Sequence, residues 1–362
     1  MKRIVCNTRF KLDSFADGGS KRSVQIREML AENGLTFEDD VFQYYKSKEL
    51  GKLKLIRLGL RSIGFVRNNY HKKAKSISEY IRMVKYYALR VSTVDKYVNQ
   101  NVVFLWENTC DHDMLCLVKA TGNRVIGMPH NVESLVNEGT VEALSREIES
   151  LKLCDITFVI SKEETWLLRL LGVNAYYLPY YPPKEAERFL LSIRQKREKR
   201  IVGTRKSFLL LGSAGNIPTQ KGMQSMIDFF GESLQPFDLN VAGYETESLE
   251  KPDNPTINFY GTVSNSKLEK ILCETDAVLI FQPPTTGALT RIPEMLLAGV
   301  PVFVNFDASR NYFNIKDVRM YDSFEDLKDQ LQSFESHQAV GYKRDDMAIK
   351  RFVELTKELV YE

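Results

Sequence analysis

Short runs of β-branched, leucine and aromatic residues recur along the chain, separated by stretches with the 3.6-residue period of helices. This alternation is typical of parallel sheets covered by helices, because parallel neighbours need a crossover connection. The runs predict strands at 3–7, 102–106, 124–128, 156–160 and 175–178, and again at 207–211, 239–242, 257–260, 277–281 and 301–305. The predicted fold class is α/β, with two doubly wound parallel sheets.

Helical spacing fills the gaps between the predicted strands. The first helix, predicted over 20–33, carries apolar residues on one side and is ended by Gly34. The last, over 344–361, has apolar residues that need a partner surface, and it could pack on either half. Other helices are predicted around 222–230, 266–274 and 292–297.

The segment 178–183 divides the pattern, because its sequence Leu-Pro-Tyr-Tyr-Pro-Pro interrupts any helix or central strand. A highly charged stretch at 184–205 follows, and the alternation of strands and helices then starts again. The length of 362 residues also suits two domains. We therefore predict an N-terminal domain over 1–180 and a C-terminal domain over 181–343.

Composition narrows the class of protein further. Hydrophobic residues make up 43% and charged residues 27%, which indicates a globular protein rather than a disordered or fibrous one. No signal peptide or membrane-spanning run is found, so we predict a cytoplasmic protein with reduced thiols. Cys110, His112 and Cys116 lie close together, but no second Cys/His pair completes a zinc site, and no metal is expected.

The overall charge of +3 is unevenly distributed. Between residues 46 and 90, thirteen Lys and Arg stand against Glu49 and Glu79, so this segment carries +11 and the remainder −8. Apolar residues are interleaved with these cations, which predicts either a basic amphipathic surface for the anionic inner face of a membrane or a solvated helical face. Nucleic acid is not expected as a partner, because the rest of the chain is acidic and carries no recognition motif.

A loop rich in small residues, 212–222, follows the first predicted strand of the second half. Gly212 and Gly215 would let the backbone approach a ligand, the start of the next helix would offer N–H groups to an anion, and Lys221 would add a charge for phosphate. The loop matches neither the dinucleotide fingerprint nor the P-loop, so a tight turn is the alternative.

A second candidate segment follows the strand predicted at 277–281. Arg291 and Glu294 are three positions apart, so they share one face if Arg291 opens the helix. Arginine can fork onto phosphate, and a glutamate can accept two hydroxyl hydrogen bonds. The alternative is an Arg–Glu ion pair at the start of a helix.

These segments together resemble the donor-site signature of retaining glycosyltransferases of family 4, also called group 1. The matching residues are Lys221-Gly222, Gly261-Thr262-Val263, Leu268, Glu294 and 298–302. The second half of that family's N-terminal domain is similar to 129–133, Glu147, 154–155, 159–161 and Gly172. The resemblance covers most of the chain and is weakest over 36–101.

The resemblance implies a GT-B fold, in which two Rossmann-like domains face each other across a cleft. It implies a nucleotide-sugar donor on the C-terminal side, a glycan or lipid-linked glycan acceptor on the N-terminal side, and no cofactor or metal. Lys221 and Arg291 would neutralise the diphosphate, Glu294 would hold the ribose hydroxyls, and His130 would project toward the reacting sugar. The remaining positions are Gly212, Gly215, Thr262, Val263, Thr286 and Gly287 for the donor, and Gly18 and Gly19 for the acceptor.

The chain departs from this family at two places. Thr286 occupies the position where the family often has a glutamate eight residues before the ribose glutamate. Ser213 and Ala214 stand where an arginine often precedes the Lys-Gly pair, and Arg291 is a candidate substitute.

Our hypothesis is a retaining glycosyltransferase of bacterial-type cell-surface polysaccharide or glycolipid assembly. A nucleotide-sugar epimerase or a phosphorylase on the same scaffold, and a non-catalytic nucleotide-sugar-binding protein, are the alternatives. Thr286 is the best argument for the binding protein.

Overall fold

A computed structural model of the protein describes residues 2–40, 52–70, 76–136, 139–201 and 203–362. Within these ranges the chain forms two six-stranded sheets, and the neighbouring strands in each sheet run parallel. Helices connect successive strands, except that β8 and β9 are joined by a loop with a short 3-10 turn at Thr246–Ser248. The predicted α/β class with two doubly wound sheets is confirmed.

The first sheet has the strand order β2-β1-β3-β4-β5-β6. Its elements, in chain order, are β1 (Arg3–Asn7), α1 (Gly18–Glu32), β2 (Phe37–Asp39), α2 (Lys52–Tyr70), α3 (Ile77–Val94), β3 (Val102–Trp106), α4 (His112–Ala120), β4 (Arg124–Gly127), α5 (Glu133–Val136), α6 (Val141–Lys152), β5 (Ile156–Val159), α7 (Lys162–Leu170) and β6 (Ala175–Tyr177).

The second sheet has the strand order β12-β11-β10-β7-β8-β9. Its elements are α8 (Lys184–Arg197), β7 (Ser207–Leu211), α9 (Ile217–Gly231), β8 (Asp238–Ala242), β9 (Ile257–Gly261), α10 (Asn265–Glu274), β10 (Ala277–Ile280), α11 (Arg291–Leu297), β11 (Val302–Asn305), α12 (Phe306–Ser309), β12 (Val318–Tyr321), α13 (Phe324–Ser333) and, last in the chain, α14 (Asp346–Tyr361).

The central strands are continuous apolar runs because helices cover both faces of each sheet. All five residues of β3 are buried, for example. The ten predicted strands are found with ends that differ by one residue at most. The edge strands β2 and β12 were not predicted, because they are short and partly exposed and therefore lack such a run.

The chain crosses from the first sheet to the second through 178–183 and returns with α14. Phe352 of α14 packs edge-on against Phe158 of β5, with ring centroids 5.0 Å apart, and the backbone N–H of Lys2 donates to the carbonyl of Val360. The last helix therefore covers the first sheet. The domain boundary at residue 180 stays a prediction.

Helices α2 and α3 form a hairpin between β2 and β3. Part of the basic segment predicted at 46–90, namely 46–51 and 71–75, lies outside the described residues. None of the described helices is both long and apolar enough to span a bilayer.

Candidate functional site

The carboxyl ends of the two sheets face each other, and two glycines lie where the halves come close together. The strand order reverses beside β1 in the first sheet and beside β7 in the second, where ligands of open α/β sheets bind. A Cβ on Gly18, at the start of α1, would lie 3.0 Å from Oγ1 of Thr290, and one on Gly287 would lie 1.9 Å from Oδ1 of Asn131. The two halves are thus in close contact at both positions, and the positive φ of Gly287, 87°, favours glycine there.

Glu294 lies at this junction, on the first turn of α11, and is 6% exposed. Nζ of Lys21 donates to both carboxylate oxygens, at 2.9 and 2.8 Å, and the Tyr180 hydroxyl donates to Oε1 at 2.6 Å. Lys21 belongs to α1 and Tyr180 to the crossover segment. The carboxylate predicted to hold a sugar ring is thus compensated by groups from outside its own sheet.

Helix α11 begins at Arg291, one residue before its predicted start, so Arg291 and Glu294 share its first turn. Its Nη1 donates to the carbonyl of Leu211 at 2.5 Å, and its Nη2 lies 3.5 Å from Oγ1 of Thr219. Burial lowers the pKa of the guanidinium to about 10, against the opposing effect of Glu294, so it stays charged at neutral pH. A Cβ at Gly212 would lie 2.6 Å from Nη1, which explains the glycine there.

Helix α9 begins at this same place. Its N-cap, Asn216, accepts from the N–H of Thr219 at 3.2 Å. Lys221 is exposed on the second turn and has no ion-pair partner in the part of the chain that the structure describes. A Cβ on Gly222 would meet the carbonyl oxygen of Phe281 at 2.0 Å, so this glycine brings α9 against the end of β10.

The loop predicted on the nucleobase side follows β9. The N–H of Thr262 donates to Oε1 of Glu247 at 2.6 Å, while Val263 packs partly buried against the core. Gly215 lies next to Glu245 of the loop after β8, since a Cβ there would be 2.9 Å from its Oε2, and the N–H of Glu245 donates to Oγ1 of Thr262 at 3.2 Å. Two carboxylates that the sequence reasoning did not single out therefore line the loops predicted to hold the donor.

His130 follows β4 at the opposite side of the junction. Its Nε2 lies 3.1 Å from Oε2 of Glu107, and its ring packs 4.5 Å from that of Phe10. A Cβ at Gly19 would clash with the Phe10 ring at 2.3 Å. The absence of a side chain at Gly19 therefore leaves room for the Phe10 ring, which packs against His130.

Glu107 anchors this side, and its side chain is fully buried. It accepts from Oγ1 of Thr8 at 2.7 Å, from Nη1 of Arg27 at 2.7 Å and from the Ser23 hydroxyl. Burial alone would raise the pKa of Glu107, but His130 and Arg27 outweigh it and hold the pKa well below its usual range. The carboxylate is therefore ionised and fixes the orientation of the imidazole.

Thr286, where the family that the sequence resembles often has a glutamate, faces the N-terminal half. Its hydroxyl donates to the carbonyl of Val132 at 3.4 Å, and the N–H of Val132 donates to Oε1 of Glu164 at 2.8 Å. Burial raises the pKa of Glu164 to about 7, and Thr286 acts on this carboxyl in the opposite direction. A carboxyl group from the opposite half thus lies close to Thr286.

The structure brings together Gly18, Gly287, Thr286, Arg291, Glu294 and, through its loop, His130. It adds Lys21, Tyr180, Glu107 and Glu164. Glu107 directly follows a buried strand, so the strand-end rule could have identified it. Lys21 and Tyr180 have no comparable signal in the sequence.

No protein-family model matches this sequence, and no curated protein sequence matches it. Solved structures, however, match over nearly its whole length. TarM superimposes with a TM-score of 0.61 at 9% identity, covering 99% of this chain and 95% of that one. HepE from Anabaena, in complex with UDP-glucose, gives 0.60 at 10% identity, covering 99% and 98%. Sucrose-phosphate synthase from Thermosynechococcus elongatus gives 0.57 at 12% identity, covering 100% and 98%.

The fold is GT-B. At these identities the likeness concerns the fold, and it confirms the architecture expected from the sequence. The junction described above is the interdomain cleft of this GT-B chain. Direct bonds close the cleft here, including Lys21 to Glu294 and the N–H of Lys162 to Oδ1 of Asn311 at 3.0 Å.

Proposed function

We propose that the protein is a glycosyltransferase that moves a sugar from a nucleoside-diphosphate sugar to a hydroxyl of a glycan or lipid-linked glycan. The observation that carries this proposal is the pair Arg291 and Glu294 at the start of α11, under the Gly212 loop, in the cleft. A cation packed against a glycine-rich turn, and a carboxylate whose hydrogen-bond partners among the described residues come from outside its own sheet, suit a diphosphate joined to a ribose.

In the proposed complex the ribose hydroxyls take the place of Lys21 on Glu294. Arg291, Lys221 and the N-terminus of α9 act on the diphosphate, and the Thr262 loop contacts the base. HepE has been solved with UDP and with UDP-glucose, and this supports a nucleotide-sugar donor for a chain of the same fold.

The transfer breaks the bond between the anomeric carbon and the diphosphate oxygen, and the electron pair leaves with the diphosphate. The acceptor oxygen forms the new bond to the anomeric carbon, and its proton ends on the leaving diphosphate. Arg291 and Lys221 would stabilise the charge that develops on that group. Closure of the two halves would exclude water that otherwise hydrolyses the donor. Retention of the anomeric configuration is proposed from the family resemblance alone.

A ligand screen tests the binding step. Thermal unfolding is followed with nucleoside diphosphates and their sugars, and one base is expected to stabilise the protein. A ligand at about a hundred times its dissociation constant adds about 2.7 kcal/mol. If no nucleotide raises the melting temperature, the proposal is wrong.

Incubation of the identified donor with and without acceptors tests the chemistry. Sugar transfer only in the presence of an acceptor, with the product's anomeric configuration read by NMR, supports the proposal. Conversion of the donor sugar without acceptor would indicate an epimerase, and phosphate-dependent release of a sugar phosphate a phosphorylase. Binding without turnover on any acceptor would indicate a binding protein.

A further inference from the structure

Helix α2 has one apolar side that the fold buries. Leu58 is 2% exposed and Val66 is fully buried, and Leu58 packs with Ala88 of α3. The Ser62 hydroxyl, also buried, donates to the carbonyl of Leu58. These positions are four residues apart and define the face with which α2 joins the hairpin.

The same helix has a second apolar side that nothing in the described chain covers. Its side chains are 85%, 61%, 66% and 40% exposed, at positions three or four apart, namely Leu53, Ile56, Leu60 and Ile63. This set is called the outer stripe. The Tyr80 hydroxyl lies 3.5 Å from the carbonyl of Ile63, so the start of α3, with Ile77 at 82% exposed, lies next to the end of the stripe.

The charged residues of α2 itself have one sign. Helix α2 contains five Lys and Arg and no acidic residue. Arg57 and Arg67 are exposed beside the stripe, and Arg61 is paired with Asp95. With −8 on the chain outside 46–90, an anionic surface would attract this side of the molecule and repel the rest.

We infer that α2 lies in the headgroup region of an anionic lipid bilayer, with the outer stripe inserted and Arg57 and Arg67 at the phosphates. A second apolar side on a basic helix is the arrangement that such an interface stabilises, since the side chains leave water while the guanidinium groups stay at the polar boundary. This inference stands without the proposed function. If that function also holds, the hairpin would bring the acceptor-side half of the cleft to the bilayer.

Vesicle sedimentation with the full chain tests the inference. Binding is expected to vesicles of phosphatidylcholine mixed with phosphatidylglycerol and not to phosphatidylcholine alone, and it should weaken as salt is added. The double substitution Ile56→Ser and Leu60→Ser should lower the partition coefficient of the protein on anionic vesicles by about tenfold or more. Two large apolar side chains would no longer enter the boundary between headgroups and acyl chains. Replacing Arg57→Gln together with Arg67→Gln should lower binding and flatten its salt dependence.

A matched control is available on α14, where Met347 is 73% exposed and Arg351 lies on the same side one turn on. Met347→Ser with Arg351→Gln should leave vesicle binding unchanged. The melting temperature of each variant, measured without ligand, checks folding, so this test does not depend on the proposed function. Equal binding to neutral and anionic vesicles would overturn the inference. So would α2 variants that bind vesicles like the wild type but lose a concentration-dependent dimer, because the outer stripe would then be a protein interface.

Discussion

The two sides of the cleft satisfy their buried carboxylates in different ways. Glu107, on the first sheet's side, is bonded by Arg27, Thr8 and His130, which all belong to the same half. Glu294, on the second sheet's side, depends on Lys21 and on the Tyr180 hydroxyl, neither of which its own sheet supplies. The first arrangement is complete when its half folds, whereas the second is complete only while the cleft is closed.

This difference indicates which side is scaffold and which side exchanges partners with a ligand. A buried carboxylate without a partner lowers the stability of the folded state by roughly several kcal/mol. Glu294 must therefore bind either a ligand or Lys21 whenever the cleft is closed. Glu107 keeps the same partners whether the cleft is open or closed, and its role is to position His130. The following predictions test the contrast.

The largest effect is expected for Glu294→Gln. The amide can accept only one of the two hydroxyl hydrogen bonds proposed for the ribose, and kcat/KM should fall by about a hundredfold to a thousandfold, or roughly 3 to 4 kcal/mol. Steady-state kinetics with the identified donor measures it. The control is Glu274→Gln, an exposed carboxylate at the end of α10. Unchanged kinetics for Glu294→Gln would mean that the ribose is held elsewhere.

Glu107→Gln should act on stability instead. It removes the charge that compensates Arg27 in a buried site and weakens the contact with His130, and the free energy of unfolding should fall by about 3 kcal/mol. Urea denaturation measures it, with Glu294→Gln as the comparison, for which about 1 kcal/mol or less is expected because opening of the cleft solvates its partners. Equal losses for the two variants would contradict the contrast.

Lys21→Ala should strengthen nucleotide binding. The ligand no longer has to displace Lys21 from Glu294, and the pair's side chains are 17% and 8% exposed, so a gain of about threefold to tenfold is expected. Calorimetric titration with the nucleoside diphosphate measures it. Lys184→Ala, which breaks the pair with Glu32 at 3.1 Å, is the control. Weaker binding by Lys21→Ala would make Lys21 itself a donor contact.

Glu164 should produce a pH dependence of stability. Its pKa is raised by burial from 4.5 to about 7, so the folded protein keeps a proton that the unfolded chain has already released between these values. Stability therefore falls as pH rises through this window, by up to about 1.4 kcal/mol per unit. Thermal unfolding across the window should show a flatter profile for Glu164→Gln than for the wild type. Parallel profiles would place the titration in another group.

Removal of divalent metal should have the smallest effect. Arg291, Lys221 and the N-terminus of α9 are proposed to supply the positive charge for the diphosphate, so transfer in EDTA should match transfer in Mg²⁺. A metal-dependent transferase run in parallel shows that the chelation is complete. Activity that is lost in EDTA and restored by Mn²⁺ would contradict this arrangement.

Much of the fold could be predicted because each buried parallel strand is a short, continuous apolar run in the sequence. The grouping of the residues proposed for the donor could be predicted for a related reason, since Gly212, Arg291 and Glu294 follow the ends of strands within one sheet. Thr286 departs from the pattern of the resembled family, and this is visible in the sequence. The carboxyl group near it belongs to Glu164, which is far away in the chain, so only the structure brings the two together. The edge strands β2 and β12 are too short to show a pattern.

Local order along the chain thus specifies strands, helices and the chemistry placed at their ends, because these depend on neighbours a few residues away. The partners of Glu294 depend on contacts across 273 and 114 positions, and no local pattern encodes which cation closes on which carboxylate. The α2 side chains follow the same division. The spacing of the apolar residues predicts an amphipathic helix. Packing against α3 then determines which side is buried, and the outer stripe is left in solvent.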